Sequence, residues 1–152
     1  MAPAHLQIAL HATPFEPLAA LATWHQELAA QLPEPPAAES SFVGRVRGRD
    51  GDGRPLQALE LEHYPGMTED QLHRLARDAA SRHGALAVLV HHRVGRVEPG
   101  QAIVLVAAGA DRRGPAQRCC QELLEALKHE APFWKREWSG GQGRWVASNT
   151  AF

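Results

Sequence analysis

Two stretches of this chain, Leu86–Val90 and Ile103–Ala107, are apolar at nearly every position. A strand with one wet face alternates apolar with polar residues, so an unbroken run implies cover on both faces. The two runs are therefore expected as well-buried strands, and Glu98-Pro99-Gly100 supplies the turn between them. The rest of the chain has to clothe that pair.

Leu6, Ile8 and Leu10 alternate with His5, Gln7 and Ala9, which predicts a short first strand. Pro17 opens a helix with Leu18, Leu21, His25, Leu28 and Leu32 at helical spacing, and Pro33-Glu34-Pro35-Pro36 ends it as a stiff connector. Ser41–Arg47 is predicted as a strand with Leu56–Tyr64 as its partner, across the turn residues Arg49-Asp50-Gly51-Asp52-Gly53. Thr68 and Gln71 form a capping box for a helix whose stripe is Leu72, Leu75, Ala76 and Ala79, with Gly84 at its end. Pro115 starts a third helix bearing Ala116, Cys120, Leu123, Leu124 and Leu127. Phe133–Trp138 and Arg144–Val146 read as a hairpin around Ser139-Gly140-Gly141-Gln142-Gly143. In the order β-α-β-β-α-β-β-α-β-β, hairpins outnumber crossovers. This predicts one α+β domain over residues 1–152 with a mainly antiparallel sheet.

Bulk charge narrows the function. Sixteen Lys and Arg against seventeen Asp and Glu leave a net charge of −1, with no global field to hold a polyanion, so nucleic acid is not the expected partner. The adjacent Cys119 and Cys120 cannot easily pair with each other within a helix and read as reduced core thiols. No stretch reaches the ~20 apolar residues of a membrane span, and Met1-Ala2-Pro3-Ala4-His5 lacks signal-peptide character. A cytoplasmic protein is expected. Nine histidines show no metal-ligand spacing, so no metal is expected, and no Ser or Cys has a base beside it.

Three basic clusters can carry chemistry. Lys128 falls in the last turn of its helix, where the negative end of the dipole favours a cation. Pro132 then forces extended chain, and Lys135 follows on the returning strand. If that strand alternates, Phe133, Lys135 and Glu137 share one face, while Trp134, Arg136 and Trp138 share the other. Such a helix-to-strand return can bring both lysines to one pocket; a helix cap and a solvated strand lysine explain the same residues. Arg112 and Arg113 precede a helix, where backbone N–H groups and guanidinium groups make a phosphate site or simply an exposed loop. Arg45 and Arg47, flanking Val46, point to one face and can clamp an anion or form a wet strand edge. His91 and His92 diverge on a strand, Gly140-Gly141-Gln142-Gly143 lacks the helix of a phosphate loop, and Glu60 and Glu62 fit the open face of a strand.

In combination these segments are distinctive. Phe42-Val43-Gly44-Arg45-Val46-Arg47, then Leu61-Glu62-His63-Tyr64-Pro65-Gly66-Met67-Thr68-Glu69, His92-Arg93-Val94-Gly95 with Pro99-Gly100, and Leu127-Lys128 with Ala131-Pro132-Phe133-Trp134-Lys135-Arg136-Glu137 resemble the molybdopterin synthase catalytic (large) subunit family, MoaE. The resemblance runs in order from about residue 42 to 146. It implies an α/β-hammerhead fold and a homodimer forming the core of a heterotetramer with a small ubiquitin-like sulfur carrier. The carrier's thiocarboxylated Gly-Gly tail delivers sulfur to cyclic pyranopterin monophosphate, building the dithiolene of molybdopterin without a cofactor. It further implies Lys128 and Lys135 as catalytic residues. Substrate binding is implied for Arg45, Val46, Arg47, Arg112, Arg113, Arg136 and Glu137 together with both lysines. Three departures stand out: Arg112 replaces the family's usual histidine, Asn149 stands where a basic residue is expected, and Pro17–Ser41 is not typical. A non-catalytic module that only grips the carrier tail, and an unrelated anion-binding regulatory domain, are the rival readings.

Overall fold

The structure, a computed structural model, describes residues 2–146. Asn149 lies outside the described residues. In chain order the elements are β1 (His5–His11), α1 (Pro17–Gln31), β2 (Ala38–Arg45), β3 (Ala58–His63), α2 (Met67–His83), β4 (Ala87–Arg93), β5 (Gly95–Val97), β6 (Ala102–Ala110), α3 (Arg113–Glu130), β7 (Phe133–Ser139) and β8 (Gln142–Trp145). They form two four-stranded sheets, ordered β1-β4-β6-β2 and β5-β3-β7-β8. Among the pairings described, β1–β4 is parallel and the others are antiparallel, as the count of hairpins predicts.

The two apolar runs become β4 and β6, neighbours at the centre of the first sheet. Side chains alternate across a sheet, and here both sets are covered. Val88, Val90, Val106 and Ala108 pack against α2 and α3, through Leu72, Leu75, Cys119, Leu123 and Leu127. Ala87, Leu89, Leu105 and Ala107 pack against Trp24 and Leu28 of α1. The stripe predicted for α1 is corrected by this contact. Trp24 is fully buried while Leu18 is 79% exposed, because the helix rolls to seat its largest ring on the small alanines of β4 and β6.

Other differences have local causes. Ser41–Arg47 and Leu56–Tyr64 are not partners: β2 pairs with β6, and β3 pairs with β5 and β7 in the other sheet. The turn residues between them close only the isolated bridge Arg49–Pro55, held by Asp50 Oδ1 accepting from the amides of Asp52 and Arg54. The long apolar β6 offers β2 eight register partners instead. The three-residue β5 is too short to show a period. At the start of α2 the cap is shifted: the Gly66 N–H donates to Glu69 Oε1, and the Thr68 hydroxyl accepts from the Tyr64 amide. Gly84 does end α2, at φ 69°.

The two sheets meet at Arg93. It is 2% exposed and donates to the carbonyls of His11 and Arg96 and to Gln101 Oε1. Three segments are tied by one guanidinium as β4 gives way to β5.

Candidate active site

The third helix decides which basic residues can meet. Lys128 sits in its last turn, and Arg112 is its N-cap. At 1.5 Å per residue the fifteen steps from Arg113 to Lys128 span roughly 22 Å. Arg112 and Arg113 are exposed at one end of α3, and Lys128 is at the other. Within one chain they cannot hold the same phosphate, so the substrate-binding residues that the resemblance implies do not all meet in one chain.

At the far end, the chain reverses sharply. Pro132 cannot continue a helix, the Phe133 amide donates back to the Ala131 carbonyl, and β7 begins. Its register sets Phe133 opposite His63 and Lys135 opposite Leu61, which is 2% exposed. Phe133, Lys135 and Glu137 thus share the face turned toward the core, as alternation predicts. Phe133 packs at the junction of two apolar clusters and stacks on His92, with ring centroids 4.1 Å apart and planes 12° from parallel.

Burial first, and the nearby Lys128 charge second, hold the Lys135 ammonium below the ordinary lysine range. Burial pushes the buried His92 down to about 4, against a hydrogen bond from its Nδ1 to the Arg93 carbonyl that favours the charged ring, and the Lys135 charge adds to the depression. His92 is therefore neutral at physiological pH. Its Nδ1 carries the hydrogen, since the carbonyl can only accept.

Val46 is 6% exposed and joins the cluster of Leu61 and Val97 on which Phe133 packs. Its backbone bonds to Gln101 and Gly100 fix the segment after the bulge at Gly44/Arg45. Arg45 and Arg47 flank it, and both are exposed. Val46 is thus a core anchor, with the two arginines free to face a ligand.

Arg136 lies on the opposite face of β7. Its guanidinium sits 3.6 Å from Glu60 and 3.5 Å from Glu62, and stacks 4.2 Å from the Trp145 ring. The structure does not bring it to the lysines, because alternation turns it away. Glu137 stays on the lysine face, half-buried. Cys119 and Cys120 are buried, with burial raising the Cys119 thiol to about 12 and raising Cys120 as well, so neither is poised as a nucleophile. Two surface grooves, of about 360 Å³ between α2 and α3 and about 260 Å³ beside His11 and His91, contain neither lysine. Sequence reasoning passed over His92; its signal was a polar residue continuing a strand buried at every position.

The class these features define is an α+β domain with a cationic corner, where the desolvated Lys135 feels the Lys128 charge and Arg45 and Arg47 are exposed on the segment that follows β2. The family model described as MoaE protein matches residues 17–130, and the chain belongs to that family. The match takes in the α1 region, which the sequence had set apart as untypical. A "Molybdopterin synthase catalytic subunit" from Ralstonia nicotianae is 45% identical over 109 residues, 72% of this chain but only 61% of that relative's length. One of the same name from Pseudomonas aeruginosa is 44% identical over 105 residues, 69% of each chain. A solved structure, "Molybdopterin biosynthesis MoaE protein from Burkholderia ambifaria MC40-6", is 40% identical with a TM-score of 0.73, covering 97% of this chain and 92% of its own. A "Protein-protein complex of subunit 1 and 2 of Molybdopterin-converting factor from Helicobacter pylori 26695" shares the fold at 22% identity and TM-score 0.74. No helix among the described residues is long and apolar enough to cross a membrane.

Proposed function

We propose that this chain is the catalytic subunit of a molybdopterin synthase. In this reading residues 1–152 act as one cytoplasmic domain that moves sulfur from a thiocarboxylated ubiquitin-like carrier to cyclic pyranopterin monophosphate. The observation that carries it is the Lys128–Lys135 pair, two cations close enough that one depresses the other in a half-buried corner. Placing like charges together in a drier medium is unfavourable in the free protein, and an anionic ligand relieves it. Both supposed ligands are anions.

The carrier's thiocarboxylate sulfur forms a bond to a pterin side-chain carbon as a carbon–oxygen bond at that carbon breaks and the departing oxygen takes up a proton. Water then cleaves the acyl–sulfur bond to return the carrier's carboxylate and leave the sulfur on the pterin. Negative charge builds on oxygen in both steps. Lys128, at the exit of α3, stabilises that charge and assists proton transfer; Lys135 holds the pterin or the tail. Arg45 and Arg47 bind the phosphate end from the strand edge.

Arg112 and Arg113 enter through a homodimer. A second copy that sets its α3 start beside the first copy's α3 exit brings an N–H-rich, arginine-bearing helix end to the lysines. Sulfur transfer with the thiocarboxylated carrier tests the assignment. Product formation is expected, and carrier binding without product would select the non-catalytic module instead. Mixing Lys128→Ala protein with Arg113→Ala protein should restore activity through hybrid dimers; no recovery on mixing would overturn the shared site.

A further inference from the structure

We infer that His92 is a positioning residue that, through its stack on Phe133, sets Lys135 against Lys128. This inference rests on the synthase reading. The geometry is specific. β7 leaves α3 after only Ala131 and Pro132, so the direction of Phe133 fixes where Lys135, two residues on and on the same face, comes to lie. Phe133 is held on one side by the flat face of His92. His92 is itself fixed in two ways: it lies in β4, a strand buried throughout its length, and its Nδ1–H donates to the Arg93 carbonyl at 2.8 Å. Arg93 in turn is bonded to three separate segments. A rigid line therefore runs from the junction of the two sheets through His92 and Phe133 to the lysine pair. The ring has to be flat to stack, and its N–H has to reach a carbonyl at the point where β4 leaves its sheet. A neutral imidazole meets both needs without adding a third positive charge beside two ammonium groups.

The test is the titration of Lys135, followed by NMR on the full chain carrying labelled lysine, alongside sulfur transfer with the carrier. His92→Ala opens the wall behind Phe133, so Lys135 should titrate closer to the ordinary value of 10.5. Because Lys135 holds the pterin or the tail, kcat/KM should fall by about 10²-fold, as for a small misplacement of a positioning group. Phe133→Ala should do the same, and the double variant should add little to either, since both break one contact. His92→Phe keeps the stack and loses only the hydrogen bond; it should retain the depressed Lys135 titration and most of the turnover while unfolding more easily. If His92→Ala does not fold, Phe133→Ala and His92→Phe carry the test. A folded His92→Ala protein whose Lys135 titrates as in the parent overturns the inference, whether or not its turnover falls. If the parent protein transfers no sulfur yet Lys135 moves as expected, the synthase reading fails and the positioning role stands.

Discussion

Replacing Lys128 by alanine separates chemistry from folding at a single position. The side chain is half-buried in the last turn of α3, where a cation meets the negative end of the helix dipole. Losing that interaction costs about 0.3–1 kcal/mol at such a position. For a chain of this size the dipole interaction by itself accounts for up to about 4 °C of Tm. The expected effect on turnover is far larger. A group that stabilises developing charge and assists proton transfer contributes about 10²–10⁴-fold, or roughly 3–5 kcal/mol of barrier.

A third readout ties the two together. Lys128 is the second cause of the depressed Lys135 titration, after burial, so Lys128→Ala should raise the Lys135 pKa without restoring it fully. The sign follows from linkage. A lysine whose folded pKa lies below its unfolded value binds fewer protons when folded, so stability rises with pH across that window. Removing Lys128 narrows the window and flattens the rise. The assay is product formation from the thiocarboxylated carrier, with a thermal melt and the lysine titration on the same preparation. Near-normal product formation refutes the catalytic role of Lys128. A loss of activity accompanied by a collapse in Tm refutes the separation of chemistry from folding.

Lys135→Met keeps the apolar contacts along β7 while removing a desolvated charge, so it should abolish sulfur transfer with Tm held or raised; a marked fall in Tm would show that the ammonium is structural. Arg47→Ala should weaken pterin binding by about 1.5–3 kcal/mol, read by titration calorimetry, and unchanged affinity would remove it from the site. Arg136→Met breaks long ion pairs and the stack on Trp145, so it should lower unfolding free energy by about 1 kcal/mol and leave KM unchanged. A raised KM would return Arg136 to the ligand. His91 and His92, each pushed to about 4 mainly by burial, bind protons more readily when unfolded. Stability should therefore fall as pH drops from about 6.5 toward 4, by on the order of 3 kcal/mol apiece at the limit. Urea midpoints that do not change between pH 7 and pH 4.5 would contradict their buried, neutral state.

What could be read from the sequence was whatever depends on neighbours along the chain. The runs at β4 and β6, the alternation of β7 and the Gly84 stop are local patterns, and each is found where predicted save at Leu86, which precedes β4 and is 44% exposed. Alternation even told Lys135 from Arg136: one faces Leu61 and the core, the other Glu60 and Glu62. What failed was partner choice across distance. Nothing between Ser41 and Tyr64 says that β2 will prefer β6, because that preference resides in the long apolar strand sixty residues on. Leucine spacing in α1 outvoted a single tryptophan, although Trp24 is the side chain that fills the space above β4 and β6. The resemblance named Arg112, Arg113 and both lysines together, but family residues can share a site without sharing a chain. The length of α3 makes that distinction, and no motif records it.

The two ends of α3 explain why the basic residues are split. Its exit carries partial negative charge, which tempers the repulsion between Lys128 and Lys135 in a half-buried corner. Its start carries partial positive charge, so Arg112 and Arg113 gain nothing from the helix itself and are held there at a small electrostatic cost. Such a start becomes favourable only when an anion arrives, whereas the lysine end is already partly compensated. The arginine end therefore suits ligand capture, and the lysine end suits handling charge that appears and disappears during reaction. Substitutions at Arg113 should accordingly weaken affinity, while those at Lys128 slow turnover. A single pocket lined by interchangeable cations predicts the same loss at both positions, and that outcome would undo the division of labour between the two ends of one helix.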